Sequence, residues 1–112
     1  MANLADFVFL YESSTATTSN ELSVPYGADE LVLQITAVGG ASVDVTVQGK
    51  ADKENGDWTA LSVLNHTGYA MTAKATAAGI YSIAASGIKL MRVVSGGSAG
   101  SVIVFGSAVC SG

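Results

Sequence analysis

The chain carries one histidine, one cysteine and one tryptophan, and their surroundings decide what chemistry is open to it. His66 could act as a base only beside a presented nucleophile. No Gly-x-Ser-x-Gly elbow occurs, and serines are so frequent that some Ser near some His carries no signal. His66 therefore reads as a structural or solvated loop residue. Cys110 lacks the second cysteine that an internal disulfide needs, and no Cys-based zinc site can form within one chain. It reads as an unpaired thiol, with an intersubunit disulfide as the alternative. Asp52, Glu54, Asn55 and Asp57 gather oxygen ligands of the kind calcium prefers. Their spacing lacks the sixth-position glycine and the distal glutamate of an EF-hand loop, and Lys50 and Lys53 offset their charge. No phosphate-cradling glycine motif follows a strand. The expectation is that the chain is not an enzyme and has no catalytic, cofactor-binding or metal site.

These residues must be held by β-structure. Leu31, Leu33, Ile35 and Ala37 alternate with Gln34 and Thr36, and Val43, Val45 and Val47 alternate with Ser42, Asp44, Thr46 and Gln48. Period two with β-branched residues describes strands with one buried face. Gly39-Gly40-Ala41 between the two runs predicts a hairpin over 30–50. Further strands are expected at Phe7–Tyr11, Glu21–Val24 (stopped by Pro25), Ala60–Leu64, Ile80–Ala84, Ile88–Ser95 and Ser101–Ser107. Gly96-Gly97-Ser98-Ala99-Gly100 marks a second hairpin. Tyr69–Ala78 is read as strand or irregular structure, with a helical turn as its competitor. The predicted fold is all-β, an antiparallel β-sandwich or small jelly roll of about eight or nine short strands. Residues 1–20 form an N-terminal strand and polar linker, and 21–112 the sandwich domain. The first strand is expected to pack on its own sheet, with an exchanged arm as the alternative.

Composition narrows the function. Five basic and nine acidic residues in 112 give 12% charge and a net charge of −4. A folded chain of this mass exposes roughly 5,700 Å², so small and apolar side chains must cover most of the surface. No basic stripe exists to meet phosphates, which argues against nucleic acid and anionic membranes. The charge-free stretch 93–112 is too rich in glycine and serine to span a membrane as a helix. The beginning of the chain lacks the charged and apolar regions of a signal peptide, so a soluble protein made in the cytoplasm and not exported by that route is expected. Five of the charges lie in 50–57, an exposed hairpin tip.

Five segments in order, 43–49 (VDVTVQG), 56–61 (GDWTAL), 79–83 (GIYSI), 89–93 (KLMRV) and 100–104 (GSVIV), resemble small all-β virion proteins of tailed bacteriophages, among them capsid decoration and head-fibre proteins. The resemblance implies a β-sandwich displayed on a particle as a trimer or other symmetric oligomer, partnered by its own copies and by a major capsid protein. No functional residue transfers with it. The sparse charge suits the same reading, because an exterior of this kind is poorly defended against association. Phe7, Phe9, Tyr11 and Cys110 are the expected assembly contacts. The alternative is a host- or carbohydrate-binding module of a tail or fibre, with Trp58 and Tyr69 as ligand contacts.

Overall fold

The computed structural model describes residues 2–97 and 100–110. Among these described residues eleven strands form: β1 (Ala2–Ser13), β2 (Thr17–Thr18), β3 (Leu22–Ser23), β4 (Glu30–Val38), β5 (Val45–Lys50), β6 (Thr59–Leu61), β7 (Val63–Asn65), β8 (Ala70–Thr72), β9 (Gly79–Ala84), β10 (Leu90–Ser95) and β11 (Ser101–Cys110). They build an antiparallel sandwich. One sheet runs β1-β11-β4-β9-β7-β8; the other runs β2-β10-β5-β6, with β3 also on β10. No helix of the described residues is long and apolar enough to cross a membrane.

The period-two pattern names the inward residues correctly. Leu31, Leu33 and Ile35 of β4, Tyr81 and Ile83 of β9, and Val102 and Val104 of β11 meet Val45 and Val47 of β5 and Met91 and Val93 of β10 in one core. The expected hairpin over 30–50 does not form. β4 pairs with β11 and β9, whereas β5 pairs with β10 and β6, so the two strands lie in opposite sheets. Gly39 and Gly40, both at positive φ (68° and 73°), turn the chain across the sandwich instead of back alongside itself. The hairpin expected around 96–100 fails the same way: β10 and β11 belong to different sheets, and Ser98 and Ala99 lie outside the described residues. The predicted strand Ala60–Leu64 is divided at Ser62. Its first part joins the five-stranded sheet and its second the six-stranded one, a corner of the kind sandwiches use to change layers. True hairpins join β5 to β6 and β7 to β8. Within 69–78 the structure has the short strand β8 and an isolated bridge from Ala75 to Val45, and no helical turn.

The N-terminal segment is longer and more integrated than a five-residue arm. β1 pairs with β11 of its own chain from Ala2↔Cys110 to Ser13↔Val102, with three register breaks. The break between Val8 and Leu10 turns both Phe9 and Leu10 inward. Gly106, opposite Phe7, leaves space for the Phe9 ring: a Cβ there would lie 2.6 Å from its Cε2. The polar stretch 12–20 is also structured. It bends at Glu12 (φ 49°) and crosses to the other sheet, where Thr17 and Thr18 pair with Ser95 and Val94. Ser19 Oγ then accepts the Val93 amide at 2.9 Å.

Candidate functional site

Strand register sets the outer face of the six-stranded sheet. Directly opposed residues share a face, so Val8, Phe105, Gln34 and Ile80 form one row across β1, β11, β4 and β9. A second row crosses all six strands: Asp6, Ser107, Val32, Ser82, Leu64 and Met71. Ile103 beside Thr36, and Val38 beside Ser101, extend the face toward the other end of β11. Val8, Ile80 and Met71 are 50%, 44% and 63% exposed, and Phe105 and Val38 are nearly as open. The face is apolar because β11 and β1 carry continuous runs, Val102–Phe105 and Phe7–Leu10, instead of alternating with polar residues. One set of side chains fills the core and the other is left in water.

Polar groups interrupt this face as well as border it: Gln34 and Thr36 of β4 are exposed within it, and Ser107 of β11 lies between Asp6 and Val32. At the β1 edge, Asp6 Oδ1 accepts from Ser107 Oγ at 2.9 Å and from Asn3 Nδ2 at 3.0 Å. Toward the β8 edge, His66 Nε2 is hydrogen-bonded to Ser82 Oγ at 2.5 Å, and the His66 ring lies 5.7 Å from that of Tyr69. Serine and histidine so joined resemble a nucleophile and its base. Ser82, however, is buried in the middle of β9 rather than raised on a strand-to-helix elbow. The pair fastens the β7–β8 turn to the sheet. Beside it, a shallow groove of about 380 Å³ is lined by Asp29, Glu30, Leu64, Met71, Ser82 and Ala84.

The opposite face, on the five-stranded sheet, is built differently. Arg92 on β10 donates from Nε to Gln48 Oε1 at 2.8 Å, and its guanidinium lies 4.1 Å from the centre of the Trp58 ring. Lys50 Nζ approaches the same ring at 5.3 Å. The adjoining 50–57 tip is exposed, as its composition predicts. Asp52 organises it: Oδ1 accepts the amides of Glu54 and Asn55 at 3.0 and 3.1 Å. Those two bonds hold the Asp52 carboxyl below its ordinary value. Among the described residues, no group of three or more His, Cys, Asp or Glu is placed to hold a metal.

The residues singled out by sequence fall in several places. Phe9 is buried in its own core, so its ring is occupied within the chain and does not stand on the surface as an assembly contact would. Phe7 is half-buried, edge-on to Phe9 at 4.8 Å between centroids, and Tyr11 is 71% exposed on the edge strand. Cys110 is a partly exposed free thiol at the end of β11. Trp58 and Tyr69 are not neighbours in the fold: Trp58 leads into β6 of one sheet, and Tyr69 sits in the β7–β8 turn of the other. Sequence reasoning missed Phe105, Ile80, Val8 and Met71. For Val8 and Phe105 the available signal was the unbroken apolar runs of β1 and β11, Phe7–Leu10 and Val102–Phe105; Ile80 and Met71 lie on β9 and β8.

No protein-family model matches the chain, and no curated protein does. Among solved structures it is similar to the SPBc2 prophage-derived protein YomS, with a TM-score of 0.80 and 21% identity over 93% of this chain and 90% of that one. It is similar also to the PBSX exported protein XepA, with a TM-score of 0.81 and 19% identity over 93% of this chain and 37% of that one. At these identities the likeness is one of fold.

Proposed function

We propose that this chain is a structural protein of a bacteriophage particle, one that decorates and stabilises the capsid by burying the outer face of its six-stranded sheet against neighbouring subunits. The observation that carries the reading is that face: Val8, Phe105, Ile80 and Met71 lie open across four strands that contribute no cation. Apolar area removed from water contributes about 25 cal/mol per Å², and a lattice repeats the contribution at every contact. Exposed apolar side chains gathered on one sheet face are candidates for an interaction site. The name of one fold neighbour, a prophage-derived protein, supports the phage context. In this arrangement the Lys50–Asp57 tip stays in solvent.

Two measurements test the proposal. Native mass determined over rising concentration, with and without reductant, is expected to reveal symmetric oligomers that persist in reductant. Co-sedimentation with capsids lacking their decoration protein is expected to capture the chain, and Phe105→Glu with Ile80→Glu to release it. A strict monomer that ignores such capsids would end this reading.

A further inference from the structure

We infer that Asn55 is the chain's site of spontaneous deamidation and that the Asp52 turn is the brake on it: the Gly56 amide nitrogen closes on the Asn55 side chain when that turn opens. The inference concerns the exposed 50–57 tip and is independent of what covers the six-stranded face.

The chemistry needs an asparagine, the main-chain amide of the residue after it, and water. The amide nitrogen attacks the asparagine Cγ. A C–N bond forms and closes a succinimide ring, the Cγ–Nδ2 bond breaks, and the side-chain nitrogen leaves as ammonia with the proton the amide gives up. Water then opens the ring at either carbonyl, leaving aspartate or isoaspartate. A side chain on the attacking residue crowds this approach; glycine has none, and its backbone is the freest to reach the required conformation. The chain has four asparagines, and the residues that follow them are Leu4, Glu21, Gly56 and His66. Asn55 alone is followed by glycine. It also stands in a stretch, 51–55, that is exposed throughout, so water has access to the ring.

The tip also holds the reaction back. Asp52 Oδ1 accepts the amides of Glu54 and Asn55, and the Asp52 carbonyl accepts the Gly56 amide at 3.3 Å. This is one turn of helical hydrogen bonding, capped by the side chain at its start. The nitrogen that would attack is thereby engaged with the Asp52 carbonyl instead of the Asn55 side chain. Its own bond is long for an amide donor, so the carboxylate is the stronger fastening. That carboxylate is ionised at neutral pH, because the same two amides favour its charged form. Reaction then proceeds from the opened turn, and its rate follows the population of that open form. Conversion adds an acid to a tip where Asp52, Glu54 and Asp57 already face Lys50 and Lys53. The isoaspartate product also inserts an extra main-chain atom within the turn, so the bond from Gly56 to Asp52 cannot re-form with its original spacing.

Peptide mapping by mass spectrometry reads each asparagine separately in the folded full chain, held in warm, mildly alkaline buffer. Asn55 is expected to convert ahead of Asn3, Asn20 and Asn65, with isoaspartate among its products. Asp52→Ala is expected to speed that conversion about fivefold, the change that loss of a capping side chain brings to the opening of a single turn. Asp52→Asn keeps an oxygen acceptor at the cap and is expected to stay within about twofold of the parent. Conversion of another asparagine ahead of Asn55, or no conversion of Asn55 even in Asp52→Ala, would overturn the site. Equal rates in the parent and Asp52→Ala would overturn the brake. An Asp52→Asn rate as high as that of Asp52→Ala would overturn the capping role given to the Asp52 side chain.

Discussion

Gly106 shows how closely one position can be determined by another far away in sequence. The Phe9 ring fills the space a side chain would need, with Leu33 Cδ2 3.3 Å from the same point. Gly106→Ala is therefore expected to destabilise the fold by about 1–3 kcal/mol, the usual cost of overpacking, in chemical denaturation. A variant as stable as the parent would mean that the ring is not seated there. Asp52 illustrates a local effect. Its two backbone donors favour the ionised carboxyl, so its folded pKa lies below its unfolded one. The turn's contribution is then fully present above about pH 4 and fades as pH falls through the depressed value. A carboxyl-carbon titration by NMR is expected to place the Asp52 midpoint below 3.8; a midpoint at or above it would refute the turn geometry. The sequence made the exposed tip legible through its charge. It could not disclose that Trp58 is engaged by Arg92, 34 positions away on β10.

At the scale of elements, the strands were legible and their partners were not. Alternation fixes which side chains of β4 and β5 face inward, and a hairpin and a crossing between sheets bury the same set. Leu31, Leu33 and Ile35 are buried alike in either arrangement, so period two cannot tell them apart. The glycines at 39 and 40 mark a sharp turn and leave its direction open. The stretch 12–20 misled in another way. Its polar, repetitive composition reads as a linker, yet it pairs along the edge of the five-stranded sheet, where half its side chains can remain in water. Ser19 distinguishes the two descriptions. Ser19→Ala removes the acceptor of the Val93 amide and is expected to cost about 1 kcal/mol in thermal or denaturant unfolding. A free linker would tolerate the change without loss.

At the scale of the molecule, the expectation of roughly 5,700 Å² of surface meets an accessible area of 5797 Å². The sequence therefore established how thinly charge is spread over the exterior, while the residues that share each sheet face became visible only with the topology. Lys50 and Arg92 are 42 positions apart in the chain and share one face; Asp6 and Glu30 share the other. The row from Val8 through Phe105 and Gln34 to Ile80 likewise needs three strand pairings before it exists. The account turns on whether that face is covered when copies meet, and its methionines report on it directly. Met71 is 63% exposed on the face, while Met91 is fully buried in the core and serves as the internal reference. Hydroxyl-radical labelling, followed by mass spectrometry across a dilution series, is expected to oxidise Met71 readily in dilute chain and several-fold less once the chain assembles, with Met91 protected throughout. Equal oxidation of Met71 at every concentration would contradict the account.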